Sequence, residues 1–123
     1  MREIEFRGKS VEHNVWVCGY YIKAIGDLIV EKRSSISTME YVVEENSVGQ
    51  FTGLRDKHGV KIYEGDIVRL HALDRPKRIN WDVKNAGWCL LENGYPVNGC
   101  NENTLKSYEV IGNIYDNPEL LGE

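Results

Sequence analysis

Hydrophobic and polar residues alternate in short bursts along this chain, and turn-forming residues separate the bursts every ten or so positions. Ile4 and Phe6 alternate with Glu3, Glu5 and Arg7, which predicts a short strand with one wet face, broken by Gly8-Lys9-Ser10. A turn around Glu12-His13-Asn14 leads into Val15 to Ile22. There Trp16, Cys18, Tyr20 and Ile22 share one face and Val15, Val17 and Tyr21 the other. Both faces are apolar, which predicts a central strand covered on two sides. Leu28-Ile29-Val30 and Tyr41-Val42-Val43 read as further strands, with the polar run Glu31 to Thr38 as a mobile hairpin tip or loop between them.

The densest signals lie between Val48 and Leu70. Gln50 to Leu54 and Val60 to Tyr63 flank Asp56-Lys57-His58-Gly59, with Asp suited to the first position of a type I turn and Gly to the last. This predicts a tight hairpin. A second turn at Glu64-Gly65-Asp66 launches the β-branched and aliphatic run Ile67 to Leu70. His71 to Lys77 is a polar connector broken by Pro76. Arg78 to Lys84 then places Ile79, Trp81 and Val83 on one face, Asn85-Ala86-Gly87 turns the chain, and Trp88 to Leu91 returns beside it. The pattern sets Trp81 near Trp88 and sends Trp81 inward with Ile79. Asn93-Gly94 and Asn98-Gly99 bracket a turn-rich link, and Glu102 to Lys106 suits one helical turn. Tyr108 to Tyr115 forms a last strand, and Asp116 to Leu121 suits a short helical turn with proline early.

About eight short strands with no helix of convincing length predict a mainly β protein. The expected form is one domain over residues 1–123 in which antiparallel strands build a small, strongly bent barrel or a curled sheet; periodicity does not separate the two.

Composition narrows the function classes. A chain of 123 residues, 41% hydrophobic and 28% charged, buries a core without disulfides or a structural metal. The formal charge of −4 opposes a grip on nucleic acid through net charge alone, though not through a local basic patch. Cys18, Cys89 and Cys100 are odd in number and too scattered for a Cys-x-x-Cys pair, which points to a reducing compartment. The start has no apolar run of signal-peptide length and no window reaches membrane-spanning length, so the expected setting is cytoplasmic, with no membrane partner.

Catalytic chemistry finds little support. His13, His58 and His71 do not stand at metal-ligand spacings. Asp56, Glu64 and Asp66 suit a carboxylate cluster on paper, but turn chemistry accounts for both aspartates with fewer assumptions. There is no Gly-x-Ser-x-Gly elbow and no glycine-rich phosphate loop. Hence no catalytic, metal-binding or cofactor-binding residue is assigned and no cofactor is expected. The strongest local case for binding lies in Arg69, Arg75, Lys77, Arg78 and Lys84, which outnumber Asp74 and Asp82 and are interleaved with Trp81 and Trp88. Such a segment suits contact with nucleic acid or with a protein partner.

Three stretches carry a resemblance. REIEFRG with WVCGYYI, the central VGQFTGLRDKHGVKIYEGDIV and the closing YEVIGNIYDNPELL resemble, in order and wording, the blocks of the YopX protein family of bacteriophages and prophages. Cys18 stands where that pattern more often has an aromatic residue. The resemblance implies phage or prophage origin, a β-rich fold and expression in bacterial cytoplasm, and it supplies no catalytic residues. Together with the aromatic strands, it favours a non-enzymatic binding or assembly module acting on a host or phage protein, with homo-oligomerisation expected. The other reading is a small nucleic-acid-binding β-barrel using residues 69–88.

Overall fold

A computed structural model describes residues 3–122. Among these residues the alternation becomes eleven strands: β1 (Phe6–Lys9), β2 (Trp16–Lys23), β3 (Asp27–Lys32), β4 (Thr38–Val42), β5 (Gly49–Arg55), β6 (Lys61–Tyr63), β7 (Asp66–Arg69), β8 (Lys77–Asp82), β9 (Gly87–Glu92), β10 (Tyr95–Gly99) and β11 (Glu109–Asn113). One helical turn, α1 (Glu102–Leu105), and 3₁₀ turns at Glu45–Ser47 and Pro118–Leu121 complete it. The protein is mainly β, its strands are antiparallel, and neither sheet closes into a barrel among the described residues. The chain divides into two compact units between Phe51 and Thr52, so β5 runs through the division.

In the first unit the strand order is β4-β3-β2-β1-β5. Val17, Ile29 and Val43 are buried, with Phe6, Tyr21, Tyr41 and Val48 packed on them. The sheet curls until Ser10, just past β1, bridges Val43, just past β4. The Val11 N–H donates to the Val42 carbonyl at 2.9 Å and the Glu44 N–H to the Lys9 carbonyl at 3.0 Å. Residues Gly8 and Lys9, expected to break the first strand, lie within β1, while Ile4 lies outside it. Glu31, Lys32 and Thr38 pair within β3 and β4, which shortens the expected loop to residues 33–37. One face of β2 is half-covered at Trp16 and Cys18 and opens along the second half of the strand: Tyr20 is 64% and Ile22 46% exposed. Apolar residues on both faces of a strand therefore do not by themselves secure burial of both.

The second unit holds the remainder of β5 with β6, and a sheet of order β10-β9-β8-β7-β11. Ile62, Val68, Ile79, Leu90, Leu105 and Tyr108 form its core. The two turns of the central stretch are built by their aspartates. Asp56 Oδ1 accepts the His58 N–H at 2.8 Å and the Val60 N–H at 3.0 Å, while Oδ2 accepts the Val110 N–H at 3.0 Å. Asp66 Oδ2 accepts the Tyr63 N–H at 2.8 Å across a turn whose Gly65 has φ +88°, in the left-handed region that side chains disfavour. The carboxylates thus face backbone donors. The expected turn-rich link after β9 is instead a hairpin: Asn93 and Gly94, at φ 52° and 81°, make a two-residue turn that pairs Glu92 with Tyr95. A pair of successive positive φ values is the signature of the type I′ turn, which matches the twist of flanking strands. The strand β10 is exposed throughout, carries Pro96, and shifts register between Pro96 and Asn98.

Candidate functional site

The hairpin of β8 and β9 carries most of the residues singled out in the sequence. Its register pairs Arg78 with Leu91, Ile79 with Leu90 and Trp81 with Trp88. Because Ile79 and Leu90 are buried in the core, Lys77, Ile79, Trp81, Trp88 and Glu92 share the inner face, and Arg78, Asn80, Asp82 and Cys89 the outer one. The inner face is sealed at its base and opens towards the tip: Ile79 is 0%, Trp81 40% and Val83 83% exposed. Trp81 is therefore not enclosed as its alternation with Ile79 suggests, since the hairpin runs out past the core that covers its root. Trp88 stays half-buried against that core. The indole rings meet edge to face, with centroids 5.0 Å apart and planes at 76°. That geometry contributes about 1 kcal/mol beyond the buried area.

The tip is set by Asp82, whose carboxylate accepts the Lys84 N–H at 3.1 Å and the Asn85 side-chain amide at 2.7 Å. The Asn85 bond first, and the backbone bonds with it, hold the Asp82 carboxyl below its usual range. Lys84 is exposed in the turn, and Ala86 has φ 50°.

The cations are distributed differently from the tryptophans. Lys77 is 8% exposed, with Nζ at 2.9 Å from Asp74 Oδ1, 3.5 Å from Glu92 Oε1 and 3.1 Å from the Arg75 carbonyl. Burial opposes its charge most strongly of any single cause, but the Asp74 bond together with the attraction of Asp74, Tyr108 and Glu92 outweighs burial and raises its pKa. Its positive head is held inside the protein. Arg75 is exposed in the connector. Ile67 pairs with Arg78 and Val68 with Lys77, so Arg69 and Arg78 lie together on the sheet face away from the tryptophans. The fold brings Trp81 to Trp88 and Arg69 to Arg78, and it does not assemble all seven residues on one surface.

Several neighbours are not legible in the sequence. Asp74 and Glu92 flank Lys77, and exposed Tyr95 and Val97 lie on β10, whose only signal is Asn93-Gly94. A cleft of about 390 Å³ between the hairpin turn and β10 is lined in part by Asp82, Cys89, Pro96 and Val97. Burial and then Asp82 push the Cys89 thiol up, so it stays protonated rather than nucleophilic. In the first unit, Arg7 Cζ and Lys9 Nζ stand 4.8 and 5.3 Å from the Trp16 ring centre, a pairing that depends on the register of β1 with β2. Among the described residues no group of three or more His, Cys, Asp or Glu side chains gathers as a metal site. No helix among them is long and apolar enough to cross a membrane.

Comparison with known proteins bears on family and fold. A family model described as YopX protein matches residues 5–122. The chain is similar to the crystal structure of protein EF1440 from Enterococcus faecalis, at 24% identity and a TM-score of 0.64, over 98% of this chain and 99% of that one. No curated protein matches.

Proposed function

The chain belongs to the YopX protein family, and we propose that it is a non-enzymatic binding module whose contact surface is the tip of the β8–β9 hairpin. The partner is a host or phage protein, and the setting that the family resemblance implies is the cytoplasm of a bacterium carrying a phage or prophage. The observation that supports this reading is Trp81, 40% exposed where its strand leaves the core, beside Trp88 and the exposed Val83. A large aromatic side chain braced by a second one, at the end of a rigid hairpin, suits the anchor of a protein interface. A nucleic-acid groove draws on aromatic faces and cations along one path. Here Lys77 is engaged by carboxylates, and Arg69 and Arg78 lie on the other face.

A photo-crosslinking amino acid placed at Val83 in cells tests this reading. The expected result is one dominant protein adduct that disappears on Trp81→Ser, with thermal stability of the variant measured in parallel. Adducts no different from those of a probe at exposed Lys57 would reject it. An adduct with a second copy of the chain, supported by light scattering, would identify the partner as itself. Fluorescence anisotropy with single- and double-stranded DNA and RNA tests the other reading. Salt-sensitive binding weakened by Arg75→Glu or Lys84→Glu would favour nucleic acid instead.

A further inference from the structure

We propose that Arg69 and Arg78 form a receptor for a phosphate-class oxyanion, on the face of the second sheet away from Trp81 and independent of the partner reading. Arg78 stands directly across from Ile67, and Arg69 is two residues further along the same strand, so the two arginines are diagonal neighbours on one face. Diagonal cross-strand pairs are about 7–8 Å apart, within reach of two long side chains converging on one ligand. In both residues Nε is buried and has no hydrogen-bond partner among the described residues. Arg78 Nη2 donates to Asn80 Oδ1 at 3.3 Å, a neutral acceptor at long range. Arg69 is paired with Glu109 across the ladder. Two like charges side by side are an unfavourable arrangement for a sheet, and unpaired guanidinium donors call for an acceptor.

The chemistry of the acceptor follows from the donors. One guanidinium fork takes the two syn lone pairs of a carboxylate and leaves only its anti lone pairs for the second, a poorer fit. A phosphate group offers three or four oxygens and bridges two forks. Room exists beside Arg78, where a hollow of about 260 Å³ is lined by Pro76, Leu91, Asn93, Gly94 and Leu121. Glu109 is the one acidic side chain placed directly across from the pair, and its charge sets an upper limit on affinity.

The test is a titration of the full, ¹⁵N-labelled chain followed through the arginine Nε–Hε resonances, assigned with Arg69→Lys and Arg78→Lys. The probes, at constant ionic strength, are inorganic phosphate, a nucleoside monophosphate, a single-stranded oligonucleotide and acetate. The expected result is saturable movement of the Arg69 and Arg78 signals with at least one phosphate probe and none with acetate. Either lysine variant weakens binding by about tenfold, as loss of a bidentate charge-assisted contact implies, and Glu109→Gln tightens it. Preference for the free ion, the monoester or the oligonucleotide identifies the source of the phosphate. The backbone amide spectrum of each variant verifies its fold. Absence of saturable shifts in the unaltered chain, equal shifts with acetate, or phosphate binding that both lysine variants retain unchanged would overturn the proposal.

Discussion

Asp56 shows how much one side chain contributes when all its bonds go to the backbone. Burial alone pushes its carboxyl up, but the N–H groups of Val110, Val60 and His58 outweigh burial and hold it below its ordinary 3.8. A folded-state pKa below the unfolded one means that its contribution is complete above that ordinary value and is lost as pH falls through the folded one. Asp56→Asn is therefore expected to cost about 2 kcal/mol near neutrality. In urea melts at successive pH values the gap to the unaltered chain should narrow as pH drops below about 4. A gap that stays constant there would reject the assignment. The turn role of Asp56 is legible in the sequence because its partners His58 and Val60 are local. Its bond to Val110 spans 54 residues and has no local signal. Ala86 offers a gain: an L side chain at φ 50° is strained, so Ala86→Gly should stabilise the protein by about 1 kcal/mol, read as a rise in Tm.

At the level of elements, the β8–β9 hairpin is legible in the sequence because alternation, turn and return strand occupy one short window. The fate of its charges is not. Lys77 counts as a basic surface residue in a sequence, but the register that sets it beside Glu92 and the connector that folds Asp74 over it turn it inward. Lys77→Met leaves two partly buried carboxylates without their cation, and such losses cost about 3 kcal/mol. Adding Glu92→Gln should recover part of that loss, measured as a double-mutant cycle from urea midpoints. Additive effects would mean that the pair is uncoupled. The strand β10 is not legible for a different reason: Tyr95 to Gly99 contains proline and two turn formers, and the Asn93-Gly94 turn recruits it into the sheet. In the first unit, alternation identified β2 and its apolar residues, but which face is covered depends on how far the sheet curls, a tertiary property.

Across the whole molecule, the stretches that carry the family resemblance do structural work together. The Lys57 N–H bonds the Tyr108 carbonyl and the Ile114 N–H bonds the Gly65 carbonyl, each at 2.9 Å, while Asp56 reaches Val110. The central and closing blocks are therefore partners in one unit, which explains why the wording that identifies the family reveals no activity. Substitutions should separate accordingly. Gly65→Ala and Asp66→Asn are expected to lower Tm, whereas Trp81→Ser should remove the partner adduct with a smaller change in stability. Melting curves and crosslinking on the same preparations check this, and a Trp81→Ser chain that melts earlier than Gly65→Ala would contradict it. The edge strand β10 carries a last consequence. A proline within it and a slipped register interrupt the row of free backbone donors that a neighbouring chain would need for strand-to-strand stacking. This protein should resist seeding fibres even when concentrated, and Pro96→Val should shorten the lag before thioflavin-positive growth; an unchanged lag would locate that resistance elsewhere.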